Sequence, residues 1–292
     1  MFTTNLFKRI IVIASTLVLV ATAFGCKKEP APTPQYQLIV NGKADFSIID
    51  KLTNYTLTTD SKELFRIKGD KVYCKAQGAC TDGTYVYGIL RDTYDTGAYI
   101  KKCRLDTGEL VATSDIIPLG HGNDMTYDSK NNRLVVTPGL HQDKKLVIVN
   151  AEDLSFIENV KIEVGADAIT YNEKDDYYVI NKGAKVHYLT SDFKLTRSIV
   201  RTPSPDYVAQ GMGSDENYIY YPMSNKWTSQ RPFLDNILEV YDWDGNYITT
   251  VHIPLAMESE SMFWANGKYY VAYNNNGTMP ICEAAMKIEI KD

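Results

Sequence analysis

The sequence lacks the segments and motifs that mark several common protein classes. Its formal net charge is −5 and it has no block of Lys and Arg, so nucleic acid or an anionic membrane surface is a poor partner. The apolar run 10–20 is shorter than the about 20 residues that a spanning helix needs. No phosphate-binding loop, dinucleotide fingerprint or Ser-His-Asp elbow occurs. The sequence therefore predicts neither a nucleotide-binding enzyme nor a serine hydrolase.

Cysteine is also scarce, with five residues and no Cys-x-x-Cys pair, so a zinc ribbon is not supported. One of the five, Cys26, is set apart by its position near the N-terminus. Outside the cytoplasm the other four permit two disulfides in three pairings, and we expect at least one bridge without preferring a pairing. The alternative is four free, buried thiols. These four are Cys74, Cys80, Cys103 and Cys282.

The first 26 residues have the layout of a secretory signal, with Lys8 and Arg9 before the apolar run and small residues after it. Ala23 and Gly25 before Cys26 resemble the lipobox of bacterial lipoproteins, which implies that Cys26 becomes the lipidated N-terminus. The alternative is an ordinary cleaved signal. A Pro-rich polar stretch follows and suits a semi-rigid spacer. We expect a signal peptide at 1–25, a lipidated spacer at 26–35 and one extracytoplasmic domain at 36–292, anchored to a membrane through Cys26.

Five segments of the remaining chain share a pattern and recur every 43 to 50 residues. Each leads into a turn and further β-rich runs, and this period is typical of propeller blades with four strands each. The fold class we predict is all-β, a β-propeller of five four-stranded blades. The segments are 76–82 (AQGACTD), 122–128 (GNDMTYD), 166–172 (ADAITYN), 209–215 (AQGMGSD) and 259–265 (SESMFWA).

The fifth repeat has no fourth strand, because the sequence ends at Asp292 where the preceding turn should begin. An open edge strand invites aggregation. The segment 36–70 contains two extended candidates, 55–59 and 63–67. We predict that part of 36–70 supplies the missing strand and closes the ring. The alternative is an irregular sixth blade formed by this segment.

The run KKLVIVNAEDLSFIENVKIEVGADAITYNEKDDYYVIN resembles the YVTN-type repeat of surface and periplasmic β-propellers, most closely over 120–190. The segment HGNDMTYD (121–128) also resembles blade starts of streptogramin-lyase-like and teichoic-acid-associated propellers. These resemblances imply a propeller fold and an extracytoplasmic setting, but no activity.

One aligned column is polar in every repeat, the next is mostly small, and a third is apolar. The first strand of a propeller blade lines the central channel, so the polar column is a candidate for binding a ligand or an ion. The alternative is that it binds channel water and neighbouring backbone groups. The polar column consists of Gln77, Asn123, Asp167, Gln210 and Glu260.

Long loops between the second and third strands emerge at the same end as the starts of the first strands, and binding sites concentrate on such loops. Their aromatic and polar side chains could hold a sugar or a glycopolymer. The alternative is that Trp227 and Phe233 only pin their own loop. The candidates on this rim are Arg91, Asp92, Tyr94, His121, His141, Lys226, Trp227, Arg231, Phe233 and Asn274.

A catalytic interpretation uses Asp124, Asp167 and Glu260, which with Asn123 could form an oxygen-rich calcium site. This set of residues resembles the Glu, Asn and Asp ligands that gluconolactonase-like propellers place around a divalent metal. Paired carboxylates could equally serve glycoside hydrolysis. We favour a monomeric surface-anchored binding module for a carbohydrate, wall polymer or envelope protein. The sequence indicates no cofactor other than this candidate calcium ion. The alternatives are a calcium-dependent hydrolase or lyase and a structural role in the envelope.

Overall fold

The computed structural model describes residues 37–70, 74–92, 97–139, 144–226 and 235–291. Segments 1–25 and 26–35, with Cys26, lie outside the described residues. A hairpin, a 3-10 helix and one long strand precede the repeats. No helix in the described ranges has the length and hydropathy to cross a membrane. These first elements are β1 (Ile39–Val40), β2 (Lys43–Ala44), the helix Phe46–Lys51 and β3 (Tyr55–Lys68).

Three antiparallel four-stranded sheets follow, each built from consecutive strands. Their second and third strands are rich in Val, Ile and Tyr, which pack well on a buried pleated surface. Blade 1 consists of β4 (Cys74–Thr81), β5 (Tyr85–Asp92), β6 (Ala98–Arg104) and β7 (Leu110–Thr113). Blade 2 consists of β8 (Asp124–Asp128), β9 (Arg133–Thr137), β10 (Lys145–Asn150) and β11 (Phe156–Lys161). Blade 3 consists of β12 (Ala168–Asn172), β13 (Tyr177–Lys182), β14 (Lys185–Thr190) and β15 (Leu195–Val200).

The last two blades share one extended sheet. The inner strand of blade 4 is interrupted, and both of its pieces pair with the same neighbour. Blade 4 consists of β16 (Tyr207–Ala209), β17 (Gly213–Ser214), β18 (Tyr218–Asn225), β19 (Asn236–Asp242) and β20 (Tyr247–Ile253). Blade 5 consists of β21 (Glu258–Ala265), β22 (Lys268–Asn274), β23 (Thr278–Ile290) and β3.

The fourth strand of blade 5 comes from the N-terminal segment, which confirms the sequence-based prediction. β3 pairs antiparallel with β23 from Tyr55 opposite Ile290 to Lys68 opposite Thr278. Residues 37–54 form the hairpin and the 3-10 helix instead of a further blade, so the described residues contain five blades and not six. The role of β3 in closing the ring stays a prediction.

The apolar core is divided among the spaces between neighbouring blades. Each of five clusters of buried apolar side chains draws on two blades, and blade 5 shares one with blade 1. The inner strands contact one another in the order β4, β8, β12, β17 and β21, and β21 contacts β4. Removing apolar surface from water in this way is the main force that stabilises the arrangement.

The expected disulfide is absent: all four cysteines of the described residues are free and buried. They pack as small apolar side chains in three of the inter-blade clusters. Cys80 lies between blades 1 and 2, and Cys282 lies between blades 4 and 5. Cys74 and Cys103 share the cluster between blades 5 and 1 without forming a bond, and the Cys74 thiol lies 3.2 Å from the Tyr99 hydroxyl. The expectation of at least one bridge was therefore wrong.

A carboxylate at the end of an inner strand holds the turn to the second strand. In blade 1, Asp82 Oδ1 accepts the N–H of Tyr85 at 2.6 Å and its Oδ2 accepts the Tyr87 hydroxyl at 2.8 Å. In blade 4, Asp215 accepts the Tyr220 hydroxyl at 2.7 Å. The Tyr stands five residues after the Asp in both blades. The carboxylates of Asp82 and Asp215 are therefore structural, since their hydrogen bonds are made within the protein.

Candidate functional site

The polar column lies at the start of the inner strands, as the repeat predicted, but burial divides its members. Asn123, Asp167 and Gln210 are half-buried, whereas Gln77 and Glu260 are buried. Gln77 lies in a register shift between β4 and β5, and Glu260 in one between β21 and β22. Such bulges re-aim a side chain and are common beside functional sites.

Asn123 joins three blades at this end of the axis. Its Nδ2 donates to the backbone oxygen of Asp167 at 2.8 Å and to that of Gln210 at 3.1 Å. Gln77 turns its amide to its own neighbour, since Nε2 donates to the Ala76 oxygen at 2.6 Å. The side-chain amides of Asn123 and Gln77 therefore bind backbone oxygens, which is the second of the two roles expected for the polar column.

Asp124 occupies the axis one layer deeper. Its Oδ2 accepts the N–H groups of Ile169 at 3.1 Å and Met212 at 2.9 Å, and its Oδ1 accepts the Ser261 hydroxyl at 2.8 Å. The side chain is fully buried, and a Cβ on Gly78 would lie 2.4 Å from the Asp124 Cα. Burial raises the pKa of Asp124 to about 8, against the hydrogen bonds that lower it. Asp124 therefore fills the axis and ties blade 2 to blades 3, 4 and 5.

The residues of the predicted calcium and catalytic set make hydrogen bonds and ion pairs within the protein. The oxygens of Asp124 are taken up by protein donors, and Asp167 Oδ1 accepts Lys182 Nζ at 2.7 Å. Within the described residues, no group of three or more His, Cys, Asp or Glu is arranged to hold a metal ion. Asn123 donates to backbone oxygens, and Glu260 is hydrogen-bonded to Glu258. A calcium site formed by these residues stays a prediction.

Glu258, a half-buried residue that sequence reasoning missed, lies among candidates that it did predict. Glu258 Oε1 accepts Gln210 Nε2 at 3.1 Å, and its Oε2 accepts Asn274 Nδ2 at 2.9 Å. We call Asn123, Asp167, Gln210, Glu258 and Asn274 the mouth cluster. The signal that could have indicated Glu258 is the sequence Glu258-Ser259-Glu260, because the bulge after Ser259 brings the two carboxyl groups together.

Glu260 lies directly behind the mouth cluster. Burial, followed by the charge of Glu258 and a hydrogen bond to it, raises the pKa of Glu260 well above its usual value. The positive charge of Arg91 acts in the opposite direction. Arg91 is itself buried near the end of β5, and His121 is half-buried in the turn before β8. Arg91 and His121, both predicted from the sequence, are thus packed within the protein at this end of the axis.

The remaining rim candidates fall largely outside the described residues. Lys226 is exposed and its ammonium donates to the Pro205 oxygen. The side chain of Asp92 is not described. The residues that lie outside the described ranges are Tyr94, His141, Trp227, Arg231 and Phe233.

The sequence matches no known protein family and no curated protein. Among solved structures, the glutaminyl cyclase of Myxococcus xanthus is similar, with a TM-score of 0.55 and 10% identity over 80% of this chain and 99% of that one. A DUF4221 family member from Bacteroides vulgatus gives a TM-score of 0.47 at 10% identity over 82% and 100% of the two chains. Hydrazine synthase of Kuenenia stuttgartiensis gives 0.43 at 12% identity over 71% and 57%. The likeness to glutaminyl cyclase shows the β-propeller fold alone.

Proposed function

We propose that this chain is a bacterial envelope lipoprotein of the YVTN-type propeller group, anchored through Cys26. Its propeller is a binding module for a carbohydrate, a wall polymer or an envelope protein. The anchor is supported by the charged, apolar and small-residue order before Cys26 and by the Pro-rich stretch after it. The propeller fold is consistent with the resemblance over 120–190.

The observation that carries the binding function is the mouth cluster. Residues of blades 2 to 5 meet there, since Asn123 bonds to the backbone of Asp167 and Gln210. Glu258 is held by two amide donors, one from blade 4 and one from blade 5. Its carboxylate keeps room for a further donor, because Gln210, Asn274 and Glu260 use three of about four lone-pair positions. Polar groups that are already held in place cost little entropy when a ligand binds. A hydroxyl-rich or amide-rich partner suits such a surface.

The binding function is tested with the full-length protein in detergent, screened against glycans, purified wall polymers and envelope proteins. We expect Glu258→Gln to weaken capture of the best partner about tenfold, since a bond between a charged and a neutral group contributes about 1.5–3 kcal/mol. The control Glu158→Gln changes an exposed carboxylate on β11 and should leave binding unchanged. Equal binding by both variants, or no partner in any screen, would refute this function.

The anchor is tested separately by growing cells with labelled palmitate. The wild-type protein should incorporate label and partition with membranes, and Cys26→Ser should do neither. Labelling of the Cys26→Ser variant would contradict the proposed attachment site.

A further inference from the structure

The described residues line an open cavity of about 640 Å³ at the end of the axis opposite the mouth cluster. We call it the distal cavity. All five inner strands or the turns after them line it, and Met125, Met212 and Met262 reach its inner end. Asp124 and its partners lie one layer beyond these methionines and separate the cavity from the mouth cluster. Its volume falls within the range of about 300–1,000 Å³ that is typical of small-molecule sites.

The wall of the distal cavity carries hydroxyl groups. Thr126, Thr170 and Ser214 line it from three successive blades. The hydroxyls of Thr170 and Ser214 lie 2.7 Å apart and share one hydrogen bond, so each keeps further capacity to donate or accept. Ser129 adds a hydroxyl at the outer edge. Hydroxyls of this kind bind other hydroxyls without requiring a charge on the ligand.

Aromatic rings form the outer part of the wall. Trp243 and Trp264 line the cavity, are half-buried, and have their indole N–H groups engaged with backbone oxygens. Trp243 Nε1 donates to the Glu216 oxygen at 3.1 Å, and Trp264 Nε1 donates to the Gly42 oxygen at 2.8 Å. The rings are therefore held in place as rigid apolar surfaces.

The N-terminal hairpin completes this wall. A Cβ on Gly42 would lie 2.6 Å from the Gly267 Cα, and Gly42 has a φ of +76°, so the hairpin turn needs glycine to fit against blade 5. Lys43 follows in the same turn, and its ammonium lies 5.3 Å from the Trp264 ring centre. The hairpin thus fixes both a tryptophan and a lysine at the cavity edge.

The charged groups at the distal cavity are engaged with protein groups. Lys43 pairs with Glu216, and Lys174 also acts on that carboxylate. Asp215 accepts two tyrosine hydroxyls and two backbone N–H groups. Glu173 accepts the Ser129 hydroxyl at 2.7 Å. The carboxylates of Glu216, Asp215 and Glu173 already have protein donors, so a neutral ligand can bind the wall hydroxyls without displacing them.

We propose that the distal cavity binds a neutral saccharide of one to three pyranose rings, stacked on Trp264 or Trp243 and hydrogen-bonded to Thr126, Thr170 and Ser214. The apolar C–H face of a pyranose matches the indole rings, and its hydroxyls match the wall. This site is separate from the mouth cluster and does not depend on the function proposed for it.

Tryptophan fluorescence of the full-length protein in detergent tests this site, because two of the three tryptophans line it. The probes are maltotriose, cellotriose, mannotriose and chitotriose. One of them should change the emission in a saturable way. At least one of the variants Trp264→Phe and Trp243→Phe should raise the Kd about tenfold, because it reduces the ring surface on which the sugar stacks. The control Tyr247→Phe alters an exposed ring on β20 and should leave the Kd unchanged.

Thermal unfolding of each variant shows whether it is folded. Trp264→Phe removes the hydrogen bond to the Gly42 oxygen and could loosen the hairpin, whereas Trp243→Phe leaves that bond intact. If Glu258→Gln abolishes saccharide binding and both tryptophan variants bind normally, the mouth cluster is the site and the distal proposal is wrong. If no neutral saccharide binds but a wall polymer or protein is captured, the distal proposal fails and the proposed function stands.

Discussion

Replacing Asp124 by Asn should make the protein more stable at neutral pH and less sensitive to pH. Asn has the shape of the protonated carboxyl group. Its amide oxygen can accept the N–H groups of Ile169 and Met212, which now bond to Oδ2. Its amide nitrogen can donate to the Ser261 hydroxyl, which now bonds to Oδ1. The substitution therefore removes a buried titratable group and keeps the three contacts.

The size of the effect follows from the pKa of Asp124, which burial raises from 3.8 to about 8. Between these values the folded protein binds a proton that the unfolded chain releases. Stability therefore falls as pH rises from about 4 to about 8, by about 1.4 kcal/mol for each pH unit. From pH 5 to pH 7 this one group costs about 2.7 kcal/mol. The pKa of Glu260 is also raised, so its contribution has the same sign and remains in the variant.

Urea unfolding at pH 5 and pH 7 measures this difference. We expect the stability advantage of Asp124→Asn over wild type to grow by about 2.7 kcal/mol between the two conditions. Asp124→Ala is the companion variant and should lose about 2–6 kcal/mol, because it leaves two buried N–H groups unpaired. Parallel pH profiles for wild type and Asp124→Asn would show that Asp124 titrates normally and would refute the reasoning.

Three further expectations concern the rest of the fold. Arg201 Nη1 and Glu239 Oε2 form a buried ion pair at 2.9 Å, so Arg201→Met should lower the free energy of unfolding by about 3–5 kcal/mol. The double variant with Glu239→Gln removes the second charge and keeps an acceptor for the Ser204 N–H, so it should recover part of that loss. Failure to recover any of it would point to packing instead of charge. A thiol reagent should find no reactive cysteine in the native protein and four after denaturation if Cys26 carries lipid, whereas five would show Cys26 to be free. Calcium and a chelator should both leave the thermal midpoint unchanged, since Asp124 and Asp167 already have protein partners, and stabilisation by calcium would contradict this.

Much of the fold could be predicted because a propeller repeats one local unit. The seven-residue pattern marks an inner strand each time, and the runs after it have the β-branched and aromatic content of packed strands. Counting the strands of the fifth repeat was enough to predict that β3 would pair with β23. That step required only the unpaired edge and a suitable extended segment elsewhere in the chain.

The candidate site was less predictable, because partners come from different blades. Aligning the five repeats of the chain placed Asp124 in the column that is mostly small residues. Only the folded protein shows that its carboxylate accepts the N–H groups of Ile169 and Met212. The role of Glu258 was hidden because a bulge changes which residues of β21 share a face. The four cysteines allowed disulfides by number, but the fold places Cys80 and Cys282 in separate inter-blade clusters and leaves Cys74 and Cys103 unbonded within one.

The sequence by itself determined the all-β class, the five repeats and the source of the last strand, because these depend on local periodicity and on strand count. Tertiary structure alone decided which end of the axis carries a cavity and what lines it. The N-terminal hairpin reaches Trp264 across more than 200 residues of chain, through the Gly42 oxygen. Hydrogen bonds and close contacts of that kind depend on where the blades bring distant segments together, and no local pattern contains that information.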